Sequence, residues 1–206
     1  MPPKTTFTKK DILNAGFSLV KKKGLTFLTV RNVATKLGSS TAPVYSHYAS
    51  IAELEQEVFS KAMQIVLEYS KRKYTNINFL NVGVGITMFA REYPILYRSL
   101  FMELNNHAED LVEFDRELMK DLSKEPYIET LSDSAREAIL TKVAIFVHGL
   151  CAMISVDNLK YLPYNSQEEI VKLLYDVGNA IILDAINPPK PATMTANDQG
   201  GYDFEC

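Results

Sequence analysis

Cysteine is nearly absent from this chain. Two in 206 residues, Cys151 and Cys206, cannot build a disulfide framework, and such use fits a reducing compartment. The N-terminus carries Lys4, Lys9 and Lys10 with no apolar run, so no signal peptide is expected. The most apolar stretch, Val143 to Val156, is interrupted by His148 and Gly149 and falls short of the roughly 20 residues that span a bilayer. Together these absences give the expectation of a soluble cytoplasmic protein without membrane contact. No Val, Thr and Ile alternation marks a strand.

Catalytic signatures are missing as well. Neither Gly-x-Ser-x-Gly nor His-Glu-x-x-His occurs, and no Glu stands three residues before His47, His107 or His148, as a di-iron bundle requires. Gly83-x-Gly85 lacks the third glycine and the preceding strand of a nucleotide-binding turn. His148 and Cys151 lie one helical turn apart, but two ligands do not make a metal site. No catalytic residue, metal or cofactor is expected, and the chain is not expected to be an enzyme.

What is present is material for a core and a lopsided charge. Hydrophobic residues make up 47% of the chain, enough for one large or two small domains. Residues 1 to 48 hold Lys4, Lys9, Lys10, Lys21, Lys22, Lys23, Arg31 and Lys36 against Asp11 alone, so they carry +7. The remainder must carry −10 to give the chain's net −3. A basic module on an acidic body is a footprint of local phosphate binding. The same lysines could instead simply solvate a helix end and favour its dipole.

The residues within the basic module say more. Thr8 to Asp11 is a capping box that opens a helix carrying Ile12, Ala15, Gly16, Leu19 and Val20 and ending at Gly24. Leu25 to Leu28 then form an apolar elbow in which Phe27 is read as core. Val30, Val33, Ala34 and Leu37 give one apolar stripe on a short helix capped by Thr29 and stopped by Gly38. After Gly38-Ser39-Ser40, with Ser40 able to cap again, Thr41 to Tyr48 is long enough for about two further turns. This is a helix-turn-helix. Val44 and Tyr48 are its chief buried anchors, while Thr41, Ala42, Tyr45, Ser46 and His47 have the size and polarity to reach phosphates or base edges in a major groove. Ser50 to Glu53 is a second capping box, opening a long helix to about Tyr74 that links this module to the rest.

From Thr8 to about Phe59 the chain resembles the DNA-binding domain of the TetR family of transcriptional regulators. The matching residues are Gly24, the run Val30 to Gly38, then Val44-Tyr45-Ser46-His47-Tyr48, and Ser50, Glu53 and Leu54. Pro43 in the second helix, Ser39 in the turn and Ile51 in place of a phosphate-contacting Lys depart from the family pattern. The resemblance implies an all-α fold of about nine helices. Residues 1 to 50 would be a three-helix DNA-binding domain, and 51 to 187 a helical ligand-binding and dimerisation domain. The DNA-facing set would be Arg31, Ser40, Thr41, Ala42, Tyr45, His47 and Tyr48, with double-stranded operator DNA as partner.

Beyond Asn76 the pattern is helical, at about 77 to 92, 94 to 105, 107 to 123, 134 to 157 and 166 to 186, with breaks near Pro94, at Asn105 to His107, near Pro126 and near Pro163. Most of its aromatic residues are core by spacing, but Phe89, Phe101, Phe114, Phe146 and His148 are candidates to line a cavity for a small apolar or amphipathic effector. The last two helices are apolar over more than one face, which suits a homodimer. Residues 188 to 206, rich in Pro and Gly, have no periodicity and read as a disordered tail. The expected function is a homodimeric repressor released from a near-palindromic operator by its effector. The alternative is a helical small-molecule-binding or interaction module that does not bind DNA.

Overall fold

The capping residues set where the helices begin. The computed structural model describes residues 7–103, 107–122, 125–156, 166–186, 193–196 and 202–205. Helix α1 spans Lys9–Lys23, and its capping box is complete: Asp11 N donates to Thr8 Oγ1 at 3.2 Å and Thr8 N to Asp11 Oδ2 at 2.9 Å. Gly24 ends it at φ 88°, and a 3-10 turn follows over Leu25–Phe27. Helix α2 is Val30–Leu37, with Thr29 Oγ1 accepting from Asn32 N at 3.2 Å and Gly38 closing it in the left-handed region at φ 66°. Helix α3 is Ala42–Tyr45 and α4 is Ile51–Ser70, capped by Ser50.

The body continues with α5 (Asn78–Glu92), α6 (Pro94–Phe101), α7 (Ala108–Leu122), α8 (Pro126–Glu129), α9 (Asp133–Ser155) and α10 (Gln167–Ile186). The fold is all-α in its body, with ten α-helices among the described residues. Helix α5 is the hub, packing on α4, α6, α9 and α10. One apolar core runs from Ile12 and Val44 through Leu54, Phe59 and Val66 to Phe89, Leu96, Leu150 and Ile170, so the core crosses from the N-terminal helices into the body along α4. A second patch joins Phe79, Ile128, Ile139 and Leu140.

Several sequence expectations need correction. Helix α4 ends at Ser70, not near Tyr74. The buried Asn81 side chain captures the chain beyond it: its Oδ1 accepts from Tyr74 N at 3.2 Å and Thr75 N at 2.7 Å, and its Nδ2 donates to Thr75 O at 3.1 Å. Those amides are thereby diverted from the helix ladder. Helix α6 stops at Phe101, and the four-residue α8, started by Pro126, was not anticipated. In the tail, Thr193–Ala196 and Tyr202–Glu205 pair antiparallel, Thr193 opposite Glu205 and Ala196 opposite Tyr202. Each strand alternates a β-favouring residue with another type, a signal only four residues long that the surrounding Pro and Gly obscured. Helix α9 is 23 residues and is long and apolar enough to cross a membrane by length and composition, because it begins well before Val143. Its Ile139, Leu140, Val147, Leu150 and Ile154 are nevertheless buried within the protein.

The glycines of the dismissed Gly83-x-Gly85 element have a packing role. A Cβ on Gly85 would lie 2.2 Å from Tyr69 O and 2.6 Å from Ser70 Cα, so α5 meets the last turn of α4 backbone to backbone.

Candidate nucleic-acid interface and body cavities

The short α3 is held to the core by one edge. Val44 and Tyr48, four residues apart, are both 1% exposed, whereas Tyr45 is 60% exposed. Pro43 occupies the first turn of α3, where its missing N–H costs nothing. The helix proper is one turn, but Ser46, His47 and Tyr48 amides still donate to Ala42 and Val44 carbonyls at 3.0 to 3.2 Å, extending the coil to Tyr48. Ser40 does not cap it. Thr41 is the N-cap, with no side-chain bond, and Ser40 O instead accepts from Ser39 Oγ at 2.9 Å. Ser39, the departure from the family pattern in the turn, closes α2 with its amide on Ala34 O at 3.0 Å.

Arg31, Ser40, Thr41, Ala42, Tyr45 and His47 are all exposed. Tyr48 is not, and its place in a DNA-facing set is withdrawn. Its hydroxyl donates to Glu57 Oε2 at 2.9 Å, Glu57 Oε1 pairs with Lys9 Nζ at 2.5 Å, and Lys9 Nζ lies 4.9 Å from the Tyr48 ring centroid. Burial, then the hydrogen bond to Glu57, raises the Tyr48 phenol well above its ordinary value, so it stays a donor. The bond from Lys9 holds the Glu57 carboxyl below the usual range. The network ties α3 to α1 and α4. Sequence spacing could have found it, since the i, i+4 relation to Val44 marks Tyr48 as an inner residue. His47 Nε2 is bonded to Phe7 O at 2.9 Å, joining the N-terminal arm to the end of α3. Ile51, packed against the core, makes no polar contact in place of the family Lys.

Part of the basic footprint is used within the chain. Lys21 Nζ sits 4.3 Å from the Tyr93 ring centroid and Lys23 Nζ 5.2 Å from that of Phe27, which is exposed rather than core. Nearby, Leu25 N donates to Ser99 Oγ of α6 at 3.1 Å. The C-terminal end of α1 is thus a junction with the body, while Lys10 at the start of α1 and Arg31 and Lys36 on α2 are exposed cations.

The five candidate effector residues are not brought to one cavity. Phe89 is fully buried against Tyr69 and Tyr93, with centroids 5.8 and 5.5 Å away. Phe101 packs with Tyr97 and His148 at 5.0 and 5.3 Å, and Tyr97 Oη shares a 2.8 Å hydrogen bond with His148 Nδ1. Burial lowers the His148 pKa, opposed by the charge of Asp115. His148 and Asp115 line a narrow cavity of about 40 Å3 between α5, α7 and α9. Phe114 faces a different one, of about 450 Å3, at the end of α4. Phe146 is half-buried against the main core. A third cavity, about 360 Å3 and apolar, lies between α5, α9 and α10, with Phe79, Val147 and Leu174 in its wall. Aromatic content marked the body as a place for cavities but could not assign residues to them, because that depends on helix rotation.

This arrangement can be set beside known proteins. No family model matches the chain, and no curated protein is similar to it in sequence. Among solved structures, it is similar to BioQ with its natural double-stranded DNA operator, at TM-score 0.51 and 17% identity over 84% of this chain and 99% of that one. It also overlaps loosely, at TM-score 0.42 and 16% identity over 92% of this chain and 100% of that chain, with the candidate transcription regulator SCO7704 from Streptomyces coelicor, a likeness too distant to carry an argument. The chain has the TetR-like fold: a helix-turn-helix unit on a helical body.

Proposed function

We propose that the chain is a TetR-family transcriptional repressor that binds operator DNA through α2 and α3, acts as a cytoplasmic homodimer and is released by a small molecule held in its body. The observation that carries the DNA half is the two-sided character of α3: Val44 and Tyr48 are buried while Thr41, Ala42 and Tyr45 stand open, on a fold shared with a protein solved on its operator. Arg31 and Thr41 are assigned to base edges and Tyr45, His47 and Ser40 to phosphates. Pairing with bases discriminates sequences, whereas pairing with phosphates strengthens all of them alike. Tyr45→Phe is therefore expected to weaken every sequence alike while leaving the slope of log affinity against log salt unchanged, because a neutral hydroxyl releases no counterion. Fluorescence anisotropy over a salt series measures both, and an affinity unchanged on every sequence removes Tyr45 from the phosphate contacts.

The homodimer rests on apolar surface left open by the last two long helices. Ile145, Gly149 and Met153 repeat every four residues along one face of α9, and Ile145 is 69% exposed. Tyr175, Leu183 and Ile186 are similarly open on α10. Nothing falls within 4 Å of a Cβ built at Gly149 or Gly178, leaving room for a second copy to approach closely. Ile145→Glu with Met153→Glu would bury unpaired carboxylates in that contact, each costing several kcal/mol, roughly 3 or more. Sedimentation is expected to show a dimer for the native chain at micromolar concentration and a monomer for the double variant; a native monomer would end the dimer reading.

Release requires only that the effector prefer one arrangement of α4 over another. A preference of about 2 to 3 kcal/mol lowers operator affinity by roughly thirty- to more than a hundredfold. Helix α4 suits that task, because its start carries Leu54 and Glu57 beneath α3 and its end meets Gly85 of α5.

A further inference from the structure

We infer that the cavity at the C-terminal end of α4 binds an amphiphile with an oxyanion head and an apolar tail, a deepening that rests on the reading of the body as an effector domain. The acidic body, −10 beyond residue 48, contains a single run of three consecutive basic residues, Lys71-Arg72-Lys73. All three line this one cavity of about 450 Å3, within the span of about 300–1,000 Å3 typical of small-molecule sites. Among the described residues the only acidic one in the same wall is Glu125. A helix C-terminus favours nearby cations, which accounts for one or two lysines but not for a cavity beneath them.

The cavity is graded from polar to apolar. Lys71, the C-cap of α4, stands one helical turn beyond Leu67, and Asn78 on α5 stands one turn before Val82, so the polar members sit together at the end where α4 hands over to α5. Leu67 and Val82, with Phe114 and Leu118 from α7, form the apolar part. A neutral apolar ligand would make no use of the Lys71 and Lys73 ammonium groups, and a small inorganic anion would leave the apolar wall wet. A single chain ending in carboxylate or phosphate satisfies both ends. Occupancy would bear directly on α4, because the Arg72 guanidinium lies 3.5 Å from the Tyr69 ring centroid and the Tyr69 hydroxyl is bonded to Glu92 of α5.

Isothermal titration of the full chain without DNA tests this, with decanoate, decyl phosphate and decanol as probes. At least one of the two anions is expected to bind, decanol at least about tenfold more weakly, and the double substitution Lys71→Gln with Lys73→Gln to lower the affinity of that anion about tenfold while leaving decanol unchanged. Both lysines are exposed, so the variant should fold, which circular dichroism checks. A Leu118→Glu variant should lose both the anion and the alcohol. Comparison of the two anions identifies the head group. The inference is overturned if neither anion binds at about 1 mM, if decanol binds as well as the better anion, or if the lysine substitutions leave anion affinity unchanged. Because no DNA is present, failure here leaves the operator reading standing, and loss of the operator reading leaves this site intact.

Discussion

Gly85→Ala should unfold this protein far more readily than any other single methyl group added to a glycine. The new Cβ would lie 2.2 Å from Tyr69 O and 2.6 Å from Ser70 Cα, and both are backbone atoms that no rotamer change can move. Helices α4 and α5 would have to separate, disturbing Val66, Tyr69, Val84 and Phe89 around the contact. Overpacking a core costs about 1–3 kcal/mol and more where backbone must shift, so a loss of about 3 kcal/mol or more is expected. At roughly 2–4 °C per kcal/mol, the melting temperature should fall by about 6–12 °C. Gly83→Ala, on the same helix, is the control: its added Cβ meets only side-chain atoms, Val147 Cγ2 at 3.3 Å and Leu174 Cδ1 at 4.0 Å, which can shift, and alanine is favoured in a helix interior by about 0.5–1 kcal/mol. The urea midpoint should fall much further for Gly85→Ala than for Gly83→Ala. Equal midpoints would show that α4 and α5 do not meet at Gly85.

The second large effect is expected at Tyr48, and it should separate positioning from contact. Tyr48→Ala removes a ring that is 1% exposed beneath α3 and should cost about 3–5 kcal/mol of stability. Tyr48→Phe keeps the ring and removes only the bond to Glu57, costing about 0.5–1.5 kcal/mol. If Tyr48 only holds α3 in place through Glu57, Tyr48→Phe should weaken DNA binding in the native chain and add no further loss in a Glu57→Ala background. A further loss of affinity from Tyr48→Phe in that background would put the Tyr48 hydroxyl back at the DNA.

The helix-turn-helix was legible because its signals are local. Thr8 with Asp11, Thr29 with Asn32 and Gly38 each act within four residues, and the structure has each cap where the sequence suggests it. Helix α4 overran its true end because what stops it is Asn81, captured from the next helix across the loop. The same distance in sequence hid the contact between Gly85 and Tyr69, which turns an apparent nucleotide motif into a packing requirement. Tyr48 was readable by spacing as an anchor, yet the resemblance to a DNA-reading motif assigned it a second role that its burial does not permit. The effector candidates fared worst, because aromatic residues identify a body that can hold cavities, whereas the wall of each cavity depends on how α5, α7, α9 and α10 are rotated.

The central claim is sequence-specific binding by two copies of α3. Selection of bound fragments from a random double-stranded DNA pool, using the full chain at about 150 mM salt, tests it most directly. The account predicts enrichment of a near-palindrome whose half-site centres lie about 34–36 Å apart, or a multiple of one helical turn, with affinity lost when either half is scrambled. Recovery of no common sequence, or of a site with a single half, would contradict it and leave the chain a helical ligand-binding protein.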